Sequence, residues 1–210
     1  MIRRLRGGGH GQALVEFALL VPGFLIVLLS LLEFGLVFNQ YLTLEYATRE
    51  GARVASALAD GDDVPAICNQ VDSQAIAAVQ RVLTSPGSQV DESQIQEIRI
   101  WRSTLSSAAT PGVPDTTARI YIWTYVVPTP GPVVDGQPLL FDQTSTAGGA
   151  AWPPCSRNDD GATPESIGIS LIYRYQMTTP LSGLFRLIGG SSATQITISD
   201  KTVMSLNPSG

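Results

Sequence analysis

Histidine is nearly absent from this chain, with His10 its single example, and cysteine occurs only as Cys68 and Cys155. A metal centre assembled from several imidazoles and thiolates is therefore excluded. No Gly-x-Ser-x-Gly elbow, phosphate-binding glycine loop or His-Glu-x-x-His stretch occurs, so the motifs that mark serine hydrolases, nucleotide-binding proteins and zinc peptidases are missing. His10 sits beside three glycines, where nothing would build a site around it. Asp159 and Asp160 are adjacent acids in a Gly- and Pro-rich stretch and read as solvated. The acids Asp60, Asp62 and Asp63 lack the ligand spacing of a calcium loop. The expectation is a protein with no catalytic residue, no bound metal and no cofactor.

Positive charge is scarce as well. The 13 Lys and Arg face 18 Asp and Glu, giving a net charge of −5 and a pI near 4.8. Arg3, Arg4 and Arg6 account for three of the basic residues before the chain has properly begun. A general nucleic-acid surface needs a basic face, and nucleic acid is not an expected partner.

Between Ala18 and Leu32 charge of either sign disappears, and the whole run Gly11–Phe38 is almost wholly apolar. As a helix, residues 12–38 would extend about 40 Å, enough for the ~30 Å hydrocarbon core of a bilayer. Glu16 and Glu33 bracket the uncharged part, and Glu33 is expected to be solvated at the outer interface. Pro22 lies inside the run and should bend it. Arg3, Arg4 and Arg6 precede the span and no Lys or Arg follows until Arg49, which predicts a cytoplasmic N-terminus and an extracytoplasmic remainder. A cleaved signal peptide begins similarly, but its apolar centre is only roughly 7 to 15 residues long and a small-x-small site follows it closely. The nearest such site here is far downstream, in Ala55–Ala59.

Helical spacing continues through residues 39–60, with Glu45 and Arg49, and Glu50 and Arg53, placed to pair across a turn. Ala47, Gly51, Ala55 and Ala59 recur every four residues and form a ridge of small side chains. Another backbone can approach closely there, either the chain's own sheet or a helix of another subunit. The cluster ending at Pro65 marks a turn, and Val64–Leu83 reads as a second helix ended by Ser85, Pro86 and Gly87. Beyond it the period changes to two: Ile95–Trp101, Arg119–Val127, Ser166–Met177 and Thr194–Leu206 alternate β-branched and aromatic residues as half-buried strands do. The fold class is thus α+β, with a long N-terminal helix, a second helix and an antiparallel sheet of about four strands. The Pro-, Gly- and Asp-rich segment at about 128–164 is expected to be a long irregular loop. In an exported domain Cys68 and Cys155 would pair, closing a large loop at a gain on the order of 4 kcal/mol; two buried thiols would give the same sequence.

The residues around Gly11 carry a family resemblance. A glycine at the membrane edge, a lone glutamate five residues on and then an aromatic, in Gly11, Gln12, Ala13, Leu14, Val15, Glu16 and Phe17, resemble the processing site of type IV prepilins. The longer stretch LVEFALLVPGFLIVLLSLLEFGLVF, with Glu50, Gly51, Ala52 and Arg53, resembles the TadE-like pseudopilins of the tight-adherence pilus system. A tyrosine-containing strand, Thr179–Leu181 and a final Thr- and Val-rich strand follow in the same order. The Asp-x-Ser-x-Ser metal motif of larger members of that pilus system does not occur.

The resemblance implies a pilin-like architecture: a leader of residues 1–11 removed by a prepilin peptidase between Gly11 and Gln12, a transmembrane helix over 12–38, its continuation over 39–60 and an exported domain over 61–210. It also implies that Glu16 pairs with the freed amino group of a neighbouring subunit, since an acid at the edge of hydrocarbon is costly without a partner. On the residues alone Glu16 can equally reach the headgroups of an uncleaved anchor. The expected partners are the membrane, other pilin-like subunits and the peptidase. The expected role is a minor pilin in pilus assembly, with an uncleaved membrane-anchored scaffold as the alternative.

Overall fold

The computed structural model of the chain describes residues 10–58, 68–103, 112–127, 129–158 and 164–206. It is an α+β protein. Residues 1–9 of the predicted leader, Ala59 of the small-residue ridge, the acids at 60–63 and the pair Asp159 and Asp160 lie outside the described residues.

Helix α1 runs His10–Leu58 without interruption, 49 residues, with Pro22 accommodated inside it. Helix α2 occupies Val71–Leu83. The expected helix over Val64–Leu83 does not run unbroken, because Asn69 and Gln70 form a turn before Val71. A five-stranded antiparallel sheet follows, built from β1 (Ile95–Ser103), β2 (Arg119–Tyr125), β5 (Phe141–Gly148), β6 (Ser166–Gln176) and β7 (Gln195–Ser205) in the spatial order β5-β2-β1-β6-β7. Two-residue strands β3 (Val133–Val134) and β4 (Gln137–Pro138) make a separate hairpin. Asp135 and Gly136 turn it with φ of 51° and 76°, the left-handed pair that a tight hairpin turn requires. Helix α3, Leu181–Gly189, lies between β6 and β7 in the chain.

The chain divides into two compact units, one comprising residues up to Val37 with Gln176–Gln195, the other Phe38–Tyr175 with the residues from Ile196 on. In the second unit, alternation decides which face of the sheet is buried. Ile98 pairs with both Trp123 and Leu171, and Ile100 with both Tyr121 and Ile169, so these side chains share one face. All six are buried, as are Ile167, Tyr173 and Tyr175 on β6. The far face is filled at one place by Trp101, which is buried over Gly168: a Cβ on that glycine would come within 2.6 Å of three ring atoms of the indole.

The segment at about 128–164 differs from the irregular loop expected of it. Eight of its residues form β5, which pairs with β2 along the sheet edge. Only Phe141 of that strand is buried, so the strand lacks the alternation that would have marked it. Gln80 on α2 holds the residue just before β5 by accepting from the Leu140 N–H at 2.7 Å. Farther along, Cys155 is disulfide-bonded to Cys68, with Cα atoms 5.0 Å apart. Next to it Arg157 makes a buried pair with Asp72 through Nη1 at 2.7 Å and Nη2 at 2.9 Å, and its guanidinium lies 4.2 Å from the Trp152 ring centroid. Glu165 ties the same stretch to the sheet, accepting from Trp152 Nε1 at 2.7 Å and from Arg102 Nη1 at 2.9 Å. Arg102 also grips Asp115 at 2.7 Å. Burial would raise the Asp115 carboxyl, but the Thr117 hydroxyl and N–H and the Arg102 guanidinium outweigh it and hold the group below the ordinary carboxylate range.

Candidate functional site: the N-terminal helix

The first turns of α1 carry the residues that the prepilin resemblance singles out. Gly11 and Gln12 are exposed and already helical, in the opening turn after His10. Nothing lies within 4 Å of where a Gly11 Cβ would stand. Glu16, one turn on from Gln12, is exposed and accepts from Gln12 Nε2 at 3.0 Å. The i, i+4 spacing brings the two together on one face of the helix.

From Leu14 to Leu32 the helix presents large apolar side chains outward: Leu19 is 76% exposed, Leu20 71% and Phe17 67%. Water tolerates contiguous apolar patches of a few hundred Å² at most on a folded protein. A helix apolar on every side is stable instead in hydrocarbon, where its backbone groups are satisfied internally. Ser30 obeys the same rule by donating to the Ile26 carbonyl at 2.7 Å. Among the described residues this is the one helix long and apolar enough to cross a membrane.

Glu33 departs from the expected solvated carboxylate. It is 5% exposed and accepts from the backbone N–H of Thr178 at 3.2 Å and of Thr179 at 3.1 Å. The correction has a physical reason: a carboxylate at the end of an apolar span can be satisfied by oriented amides as well as by water, and charge-assisted bonds of this kind are the stronger ones.

Within the second unit, α1 changes character. Glu45 pairs with Arg49, and Glu50 with Arg53, at 2.5 and 2.6 Å on its exposed side. Hydrogen bonding to Arg53 lowers the Glu50 carboxyl from its usual range. The opposite side carries Ala47, Gly51 and Ala55, all buried. A Cβ on Gly51 would stand 2.5 Å from Val79 Cγ2 on α2 and 3.1 Å from Ile169 Cδ1 on β6. Of the small-residue ridge, Ala47, Gly51 and Ala55 are thus packed within the chain. Thr48, on the same side, is fully buried and donates to Asp200 on β7.

The family model for TadE-like proteins, matched against the chain, covers this helix. Residues 11–53 fit the TadE-like family. No curated protein and no solved structure matches the chain. The TadE-like match begins at Gly11, takes in Gln12, Glu16, the apolar span and Glu33, and ends at Arg53, five residues short of the end of α1. The match takes in Gly11, Gln12 and Glu16, the residues that carry the prepilin resemblance in the sequence. Sequence reasoning missed the engagement of Glu33, whose partners lie 145 and 146 residues away in the chain.

Proposed function

We propose that the protein is a minor, pilin-like subunit of a tight-adherence pilus, held in the bacterial cytoplasmic membrane by α1 with its N-terminus cytoplasmic and its sheet domain outside. The observation that carries this reading is a coincidence of position: the TadE-like match falls on a helix whose apolar span from Leu14 to Leu32 has no buried residue and whose first turns hold Gly11, Gln12 and Glu16. Prepilin peptidase cleaves between Gly11 and Gln12. The new α-amino group at Gln12 and the Glu16 carboxylate then supply opposite charges at the edge of hydrocarbon, where a charge without a partner is unfavourable. Pairing between neighbouring subunits removes that cost and sets their axial offset. Packing between subunits uses the apolar span, since Ala47, Gly51 and Ala55 are occupied within the chain.

An uncleaved, membrane-anchored scaffold is the second reading. It is favoured by one contact, since the Gln12 side chain already supplies Glu16 with a donor at 3.0 Å in the intact chain. Glu16→Ala separates the two. A subunit that assembles through this carboxylate loses co-purification with the other pilin-like proteins by tenfold or more, while membrane insertion is unchanged. Co-purification at the original level contradicts the pairing.

A further inference from the structure

Glu33 fixes more than its own charge. The amides it holds, Thr178 and Thr179, lie immediately ahead of α3. The carboxylate therefore pins the start of α3 to α1 at the level of residue 33. A second bond closes the base of this excursion, from Met177 N–H to the Thr194 carbonyl at 3.0 Å. The depth of that level follows from helix geometry: at 1.5 Å per residue, Glu33 stands about 26 Å along α1 from Glu16, close to the ~30 Å thickness of a hydrocarbon core. With Glu16 at one boundary of the bilayer, Glu33 and the start of α3 sit at the other.

The composition of α3 fits that place. Between Arg174 and Asp200 the only charged side chain is Arg186, in a chain whose net charge is −5. Leu181, Leu184 and Phe185 recur at helical spacing; Leu181 is buried, while Leu184 and Phe185 are 40% and 41% exposed. Leu187 is 84% exposed. On α1, just ahead of Glu33, Leu31 and Leu32 are exposed as well, at 64% and 54%. An apolar surface thus exists on both elements of this unit, on either side of the Glu33 bond.

We propose that α3 is a second, monotopic contact with the lipid bilayer, lying in the outer headgroup boundary with Leu184, Phe185 and Leu187 toward the acyl chains and Arg186 toward lipid phosphates. Short amphipathic helices bury their apolar side in that boundary, and basic residues there gain from anionic headgroups. Lipid is the occupant because the apolar surface of α3 continues that of a membrane-spanning helix and its single charge is basic. The inference rests on α1 spanning a bilayer. It gives the anchor a stop: α1 cannot slide inward without drawing α3 through the boundary.

The test uses the full-length protein, with its disulfide oxidised, in phosphatidylethanolamine and phosphatidylglycerol liposomes. Leu187→Cys and, separately, Ile26→Cys carry an environment-sensitive fluorophore, read against lipids brominated near the headgroup, lipids brominated near the chain end, and aqueous iodide. The probe at residue 187 is expected to be quenched several-fold more by headgroup-proximal bromines than by iodide, and the probe at residue 26 by chain-end bromines. Iodide quenching at 187 with lipid quenching at 26 overturns the α3 contact and leaves the anchor standing. Shielding of 187 from both quenchers also overturns it, by showing a protein surface over α3. Iodide quenching at 26 overturns the anchor itself. In Glu33→Ala, quenching at 187 should pass from lipid toward iodide while residue 26 is unaffected; no change removes Glu33 from the account.

Discussion

At Gly51 the absence of one side chain lets two layers meet. Val79 and Ile169 stand where a Cβ would go, at 2.5 and 3.1 Å, and the Ala75 carbonyl is at 3.3 Å. The Val79 methyl belongs to a fully buried residue and has little room to retreat. Overpacking of this kind costs about 1–3 kcal/mol. Gly51→Ala should therefore lower the stability of the full-length protein in detergent by about that amount, and Gly51→Leu should unfold the domain. Thermal unfolding with limited proteolysis checks both. A Gly51→Leu protein that melts normally yet loses its partners would show that the ridge faces another subunit. Spacing alone made the ridge visible in the sequence, because four-residue recurrence fixes a helix face. What covers that face depends on residues as distant as Ile169, which no local pattern reports.

Elements separate by how much their own sequence says about them. Strands β1, β2 and β6 were legible nearly to their ends, because each buries β-branched or aromatic residues at period two, and β7 was legible by its β-branched content although only Ile198 of it is buried. β5 was not, since seven of its eight residues are exposed and it owes its place to pairing with β2. The segment that follows β5 is held by the Cys68–Cys155 bond and by the Asp72–Arg157 pair, whose side chains are 9% and 0% exposed. A buried ion pair is costly to break and cheap to replace whole, because one partner left alone is an uncompensated charge. Arg157→Met should cost about 3–5 kcal/mol, and adding Asp72→Leu should recover most of it. Denaturant unfolding of the two variants with the disulfide intact measures this. A double variant as unstable as the single one would show that the pair does more than neutralise itself.

For the whole molecule, the uncharged run between Glu16 and Glu33 made plain a helix long and apolar enough to cross a membrane, and the spacing of Gly11 and Glu16 gave the resemblance that the family match to residues 11–53 supports. The arrangement of Gln176–Gln195 with the residues up to Val37 was hidden, because β6 and β7 flank that segment in sequence and assign it by default to the sheet domain. An exposed apolar span, a glycine at its edge and a carboxylate five residues beyond support the proposal of a subunit that is processed before it assembles. Intact mass of the membrane-extracted protein, with and without a co-expressed prepilin peptidase, tests that claim most directly. The account predicts a mature chain starting at Gln12 only when the peptidase is present. A chain that keeps residues 1–11 in both cases would contradict it and leave the uncleaved scaffold.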